Sequence, residues 1–253
     1  MKTNLRIMLT LAVLVLVTTA CSLPRLMPKV EEPGSDGEDR TPITETQKLD
    51  SFTEIEFRGG GTIYLEQANE NSIKIEGSKI AVEAVRIEIR NGRLLIDQDQ
   101  SVWQLLTNVE APTFTISFSD LSHFKLEGGA RVVANGLKLE NLSLKVSGGA
   151  TLSMDDFFAE SIVMDIEGGV SVEINGETSQ QDLNFSGGIN YNAEDFKGED
   201  VKLKMEGAGN AILWARQNLD LDLSGAYNVK YYGKPRLSQN VQGIGNLEAL
   251  GEK

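Results

Sequence analysis

Three pairs of aspartates have the residue type that hydrolysis of a glycosidic bond uses. They are Asp97 with Asp99, Asp155 with Asp156, and Asp220 with Asp222. Side chains two residues apart on a β-strand point to the same face, so the first and third pairs would present two carboxylates together. A lyase would also need Lys or Arg in a groove, and the repetitive part of the sequence has no long loop to build its walls. We therefore interpret the pairs as solvated surface.

The single histidine and the single cysteine limit other chemistry. His123 follows Ser122 and lies near Asp120, which are the residue types of a serine hydrolase triad. Neighbouring residues cannot assemble that geometry locally, and no nucleophile elbow accompanies them. One Cys and one His also exclude cysteine-based zinc clusters and multi-histidine metal sites. We predict no catalytic residues, no metal site and no cofactor.

Aromatic residues are the remaining candidates for ligand contact, because their rings can stack on sugars. The candidate ligand-binding residues are Trp103, Trp214, Tyr231 and Tyr232, with Tyr227 nearby. All except Trp103 lie late in the chain. There they could instead cover the apolar end of a repetitive fold.

The charge balance is acidic, with 24 Lys and Arg against 37 Asp and Glu and a net charge of −13. Binding to nucleic acid requires clustered Lys and Arg that neutralise phosphates, and an acidic surface opposes it. We predict that nucleic acid is not a partner. Hydrophobic residues make up 40% of the chain, which is enough for a globular core.

The first 20 residues resemble a bacterial lipoprotein signal peptide. Lys2 and Arg6 precede the apolar run from Ile7 to Val17, and small residues lead to the sole cysteine, Cys21. We predict lipidation at Cys21, which would anchor the chain to a membrane. The alternative is an ordinary secretory signal with an incidental cysteine.

Composition divides the rest of the chain into three segments. Residues 21–47 contain four of the six prolines and an acidic cluster, which is typical of an extended tether. In residues 48–110 apolar and polar side chains alternate, and we interpret this segment as N-terminal β coils that include a loop or cap near Trp103. Residues 111–250 form a regular repeat.

Each repeat contains a glycine pair or, in the later repeats, a glycine followed by Ala or Ile. The first glycines are Gly128, Gly148, Gly168, Gly187, Gly207, Gly225 and Gly243, at intervals of 20, 20, 19, 20, 18 and 18 residues. Positions two residues before each glycine are apolar, from Leu126 to Val241, and the positions between are polar. This period of two indicates β-strands with one buried face. Gly59-Gly60-Gly61 follows a similar strand and is an earlier relative.

A unit of about 20 residues cannot bury its own apolar face, so neighbouring units must stack. Stacked strands would pair in parallel about 4.8 Å apart, with the apolar side chains inside. A glycine at each corner would take a positive φ, where a β-carbon would clash with the adjacent coil. The sequence predicts an all-β parallel β-helix.

Ordered motifs resemble a known family. They are FTEIEF at residues 52–57, NGRLLI at 91–96, the glycine corners, and YYGKP at 231–235. With the leader, they are similar to the head GIN domain family of auto-transporter adhesins over about Ser51 to Leu250. The corners here are Gly-Gly-Ala or Gly-Gly-Val instead of the family's usual Gly-Ser-Gly. The resemblance implies a right-handed β-helix of the bacterial cell envelope with an adhesive or binding role, and it supplies no catalytic residues.

These observations predict a lipid-anchored envelope protein, on the outer membrane or cell surface, that binds without catalysis. The expected partners are the membrane, through the N-terminal lipid, and a glycan or an envelope protein. Two alternatives stay open: a polysaccharide-active lyase or hydrolase, and an envelope scaffold that acts by self-association.

Overall fold

The computed structural model describes residues 40–98 and 110–253. Cys21 and Trp103, the predicted signal peptide and most of the predicted tether and loop lie outside these ranges. The described chain is all-β, as predicted, with one short helix. The elements are β1 (Pro42–Lys48), β2 (Glu54–Gln67), β3 (Ser72–Ser78), α1 (Lys79–Glu83), β4 (Val85–Arg90), β5 (Arg93–Gln98), β6 (Thr113–Phe118), β7 (His123–Asn135), β8 (Lys138–Tyr232) and β9 (Arg236–Gly251).

The alternation of apolar and polar residues explains the strands. In β7, Phe124 and Leu126 are buried before the glycine corner, and Ala130 and Val132 are buried after it. The residues between them face outward. Equivalent positions through β8 are buried in the same way, and a single apolar cluster extends from Phe52 to Val229.

The glycine repeat sets the register between strands. β2 pairs with β7 in parallel, with Gly59 opposite Gly128, which confirms that the first glycine triplet belongs to the repeat. Gly128 in turn lies opposite Gly148 of β8. β8 pairs in parallel with β9 through Gly225 and Gly243. β8 runs for 95 residues and makes several passes that lie beside one another at the repeat interval.

The first glycine of each corner has a backbone conformation that other residues adopt rarely. Gly168, for example, has a φ of +124°. A β-carbon there would overlap the carbonyl oxygen of Gly148 in the preceding pass. The next residue, Gly169, has no atom within 4 Å of its would-be β-carbon. The expected positive φ and close approach are therefore confirmed for the first glycine of this corner, Gly168, whereas Gly169 has room for a β-carbon.

The expectation that residues 48–110 repeat the same coil is wrong for most of that segment. Among its described strands only β2 makes a full pass. β5 pairs with the first half of β2, and β6 pairs with the second half. β4 and β5 form an antiparallel hairpin through Asn91 and Gly92, whose φ angles of 52° and 76° suit a two-residue turn. β3 pairs antiparallel with both β1 and β6.

The tether predicted to reach residue 47 also ends earlier. β1 begins at Pro42, which lies opposite Ser78 of β3, so residues 42–47 belong to the sheet. Proline is tolerated here because the first residue of an edge strand can lack its N–H. The prolines and acidic residues of this segment are typical of a tether, and for that reason its composition did not predict the short polar strand at its end.

The two ends of the strand order differ. At one end, β1, β3 and α1 pack together, with Ala81 and Val82 of the helix buried. At the other end, β9 pairs with β8 alone among the described strands, and Val241 is 39% and Ile244 86% exposed. No helix in residues 40–98 and 110–253 is long and apolar enough to cross a membrane.

Candidate functional site

An open groove of about 720 Å³ follows the outer surface just beyond the glycine corners. We call it the corner groove. Its floor consists of small residues at the second corner position of successive passes, namely Gly169, Gly188, Ala208 and Ala226. Because these side chains are absent or a single methyl, the surface stays low along several passes. Thr151 and Ile244 lie toward its two ends.

A row of asparagines lines one side of the corner groove. Asn190 donates a hydrogen bond to Ser171 Oγ (3.4 Å), and Asn228 donates to Asn210 Oδ1 (3.3 Å). Asn246 continues the row by donating to Asn228 Oδ1 (3.4 Å). Each amide has two donor hydrogens and an acceptor oxygen, so these bonds use only part of its capacity. The row can therefore offer donors and acceptors to an extended polar ligand.

The sequence analysis missed this site, although a signal was present. The residue three positions after the first glycine is Asn in each of the last four repeats. The period of two assigns this position to the outward face and gives no reason to single out asparagine there. An exposed Ile244 at the end of the groove adds apolar surface beside the amides.

The structure brings together two of the predicted aromatic residues. Trp214 and Tyr232 both lie beside Lys253, whose Nζ is 5.6 Å from the centroid of the Trp214 ring and 5.0 Å from that of Tyr232. Tyr231 is partly buried and packs against the core. Tyr227 also packs there and lines the corner groove.

Two carboxylates complete the surroundings of the Lys253 ammonium. Nζ donates to the main-chain oxygen of Glu194 (2.9 Å), to its Oε1 (3.4 Å), and to Asp195 Oδ1. Tyr232 Oη also donates to Glu194 Oε1 (3.3 Å). Burial alone would lower the pKa of Lys253, but Asp195 and Glu194 outweigh it and raise that pKa above its ordinary value.

The aspartate pairs form bonds with neighbouring amides. Asn175 donates to Asp155 Oδ1 (2.7 Å), and Asn240 donates to Asp222 Oδ1 (3.0 Å). These bonds link adjacent passes. None of the aspartates lines the corner groove. Asp99 lies outside the described ranges.

Ser122 and His123 are in contact, with 3.0 Å between Oγ and Nδ1, on an exposed surface. The Ser122 hydroxyl has one proton and two acceptors within reach, the imidazole Nδ1 and the main-chain oxygen of Thr53 (3.1 Å). Asp120 Oδ1 accepts from the amide of Leu121 (2.9 Å). In the described structure Asp120 bonds to the backbone and not to His123, so the three side chains do not form a serine hydrolase triad.

A charged network around Glu56 was also missed by the sequence analysis. Only 8% of the Glu56 side chain is exposed, and Arg58 Nη2 lies 2.6 Å from its Oε1. Lys125 of β7 lies 3.2 Å from the same oxygen, and Arg93 of β5 lies 3.4 Å from Oε2. Glu127 pairs with both Arg58 and Lys125. Arg93 also pairs with Glu54 (2.8 Å), so three cations face three carboxylates in a network that joins β2, β5 and β7.

Burial alone would raise the pKa of Glu56. Hydrogen bonds and charges from Arg58 and Lys125 outweigh this effect, so the pKa is lowered. The carboxylate is therefore ionised at neutral pH. Across residues 40–98 and 110–253, no group of three or more His, Cys, Asp or Glu side chains could hold a metal ion.

Comparison with known proteins identifies the family. The family model described as "Putative auto-transporter adhesin, head GIN domain" matches residues 51–235. The chain belongs to the head GIN domain family. This match confirms the resemblance drawn from the ordered motifs. No curated protein matches the chain.

Solved structures share the fold of this head GIN domain protein. A "putative adhesin" from Bacteroides fragilis has a TM-score of 0.76 at 21% identity, covering 83% of this chain and 97% of that one. A "putative adhesin" from Parabacteroides distasonis has a TM-score of 0.61 at 17% identity, covering 84% and 98%. A "putative lipid binding protein" from the same species has a TM-score of 0.56 at 16% identity, covering 83% and 96%. At such identities the likeness concerns the fold.

Proposed function

We propose that this head GIN domain protein is a non-catalytic adhesin of the bacterial cell envelope that binds an extended glycan in the corner groove. The observation that carries the proposal is the asparagine row along an open groove that crosses several passes. Membership of an adhesin family supports the same role.

The dimensions and chemistry of the groove suit such a ligand. Adjacent passes of a parallel sheet lie about 4.8 Å apart, which is comparable to one sugar unit of an extended chain. The amides of Asn190, Asn210 and Asn228 would exchange hydrogen bonds with sugar hydroxyls. Apolar sugar faces would contact the glycine and alanine floor, Tyr227 and Ile244. An open groove admits a chain without requiring it to enter by an end.

The groove also favours binding over cleavage. The described residues that line it include no Asp, Glu, Lys, Arg or His. Glycoside hydrolysis and lyase chemistry need such groups within reach of the scissile bond. A polysaccharide-active enzyme is therefore the weaker alternative.

We further propose that the repetitive segment is a right-handed parallel β-helix. Support comes from the in-register parallel pairing of the glycine corners and from the return of each pass at 18 to 20 residues. Helical coiling would place the apolar ladders inside and leave the corner groove on the outer surface.

The membrane attachment is proposed from sequence. Lipidation of Cys21, followed by an acidic tether up to Pro42, would hold the adhesin at the outer membrane or cell surface. Such placement suits an adhesive role because it exposes the groove to external glycans or to envelope proteins.

A glycan array tests the proposed function. We expect saturable binding by the wild-type protein and loss of binding in an Asn210→Ala, Asn228→Ala double variant. Asn240→Ala is the matched control, because its amide belongs to another row and donates to Asp222. Circular dichroism would check that each variant folds.

Other outcomes would contradict the proposal. Binding that is lost only in a Trp214→Ala, Tyr232→Ala variant would move the site to the aromatic residues. Capture of an envelope protein without glycan binding would favour the scaffold alternative. Cleavage of a polysaccharide would overturn the non-catalytic role.

A further inference from the structure

Three residues at one outward position of successive passes form a cluster away from the corner groove. Glu194, Trp214 and Tyr232 each lie seven residues after the first glycine of their repeat. Stacking of the passes therefore places a carboxylate beside two aromatic rings. Asp195, next to Glu194, adds a second carboxylate. We call these four residues the ammonium cage.

Lys253 shows what the ammonium cage can hold. Its Nζ lies against the rings of Trp214 and Tyr232, at the distances given above, and donates to three oxygens of Glu194 and Asp195. A cation within about 6 Å of an aromatic centroid is attracted by the ring quadrupole. The carboxylates supply the opposing charge. Every element of a cation site is thus present, and a cation occupies it.

We propose that the ammonium cage is a binding site for the lysine side chain of a partner protein, occupied in cis by Lys253 until the partner displaces it. The net charge of −13 would steer such a cationic partner toward this protein. The site is separate from the corner groove and does not depend on glycan binding.

The three acceptor oxygens around Lys253 Nζ favour a primary ammonium as the ligand of the cage. Three N–H groups of one ammonium can point at three acceptor oxygens, as they do here. A quaternary ammonium has no N–H to donate and would retain only the attraction to the rings and carboxylates. The cage should therefore prefer lysine over trimethyllysine.

Lys253 is also held in a way that permits exchange. It lies two residues beyond the end of β9, and 27% of its side chain remains exposed. Partly exposed ion pairs contribute little net free energy. A tethered lysine nevertheless competes strongly, because the short connection gives it a high effective concentration. A partner lysine must be presented with additional contacts to displace it.

The test uses the full chain labelled with 5-fluorotryptophan, which gives one ¹⁹F signal for each of the two tryptophans. A Trp214→Phe variant assigns the Trp214 signal. The probe is Nα-acetyl-lysine N-methylamide. In Lys253→Ala we expect the probe to move the Trp214 signal with saturation, at a concentration at least about tenfold below that needed in the wild type.

Two matched variants control for indirect effects. Lys234→Ala removes a nearby exposed lysine that pairs with Glu252, and it should behave as the wild type. Glu194→Gln with Asp195→Asn, made in the Lys253→Ala background, should weaken probe binding by at least about tenfold. Thermal unfolding would check that these variants remain folded.

Several results would overturn the proposal. One is a Trp214 signal that does not move in Lys253→Ala at any probe concentration. Another is an equal response in the wild type and Lys253→Ala. Binding that ignores the loss of both carboxylates would also exclude the cage. Equal affinity for the Nε-trimethyl probe would exclude selection of a primary ammonium. Glycan binding is measured separately, so its absence would leave this result unaffected.

Discussion

At the scale of single residues, Gly168 and Gly169 are adjacent and chemically identical but differ in conformation. We expect Gly168→Ala to lower the free energy of unfolding by about 1–3 kcal/mol, because alanine resists the positive φ and its β-carbon meets Gly148. Gly169→Ala is the control and should change that free energy by less than about 1 kcal/mol. Chemical denaturation of both variants provides the measurement. Equal losses would show that the corner does not depend on the conformation of its first glycine.

Glu56 makes stability depend on pH. Its pKa in the folded state lies below the unfolded value of about 4.3. The ion pairs therefore stabilise the fold fully above the unfolded pKa, and this contribution is lost as the pH falls through the folded pKa. We expect Glu56→Gln to lower the free energy of unfolding by about 1–3 kcal/mol at pH 7.

The difference between wild type and Glu56→Gln should begin to shrink as the pH falls below the unfolded pKa and should vanish below the folded pKa, because a protonated carboxyl resembles an amide. Urea denaturation across this range would measure it. Glu173→Gln, at an exposed position, should have little effect at any pH. A difference that stays constant with pH would contradict the role assigned to the Glu56 carboxylate.

At the scale of elements, the side chain of Gln98 at the end of β5 forms hydrogen bonds with the backbone of β2, as a neighbouring strand would. Gln98 accepts a hydrogen bond from Gly60 N (3.0 Å) and donates to Gly60 O (2.6 Å), and only 3% of the residue is exposed. Gln98→Ala would leave both groups of the β2 corner without these bonds. We expect a loss of about 1–3 kcal/mol in the free energy of unfolding.

Gln67 provides the matched comparison for this prediction. It bonds in the same two-way manner to Lys138 N (2.8 Å) and Lys138 O (2.9 Å), but in an exposed position. Water can replace those bonds, so Gln67→Ala should lower the free energy of unfolding by less than about 1 kcal/mol. Denaturation curves for both variants would decide. Similar losses would mean that burial is not what makes the Gln98 bonds important.

At the scale of the whole molecule, the stability of the strand order should fall toward β9. β7 lies between β2 and β8, whereas in the described part of the chain β9 pairs on one side only and its side chains are almost all exposed. We expect backbone amides of β9 to exchange with deuterium at least about tenfold faster than those of β7. Hydrogen–deuterium exchange read by mass spectrometry would show the gradient. Uniform protection would indicate that a second copy or another segment covers β9 in solution.

The alternation of apolar and polar residues and the spacing of the glycines were enough to predict strands, buried faces and corners through β7 and β8. This works because the facing of a strand residue is a local property: Leu126 and Val146 point inward wherever the strand lies. The family could also be inferred from ordered local motifs.

It was harder to predict from the sequence which strands pair with one another and in which direction. The period of two is the same in parallel and antiparallel strands, so the antiparallel pairing of β1, β3 and β6 could not be read from it. Nor did the alternation reveal that Tyr191 and Gln181 would hydrogen-bond within the core, 3.3 Å apart.

The sequence by itself therefore determined the all-β class, the inward faces, the glycine corners and the family. Only the tertiary structure decided the direction of the N-terminal strands, the Glu56 network, the corner groove and the approach of Lys253 to Trp214. The physical reason is range: backbone conformation and side-chain facing depend on near neighbours along the chain. Sites form where stacking brings together residues from different passes, and no local sequence pattern specifies which of these side chains come into contact.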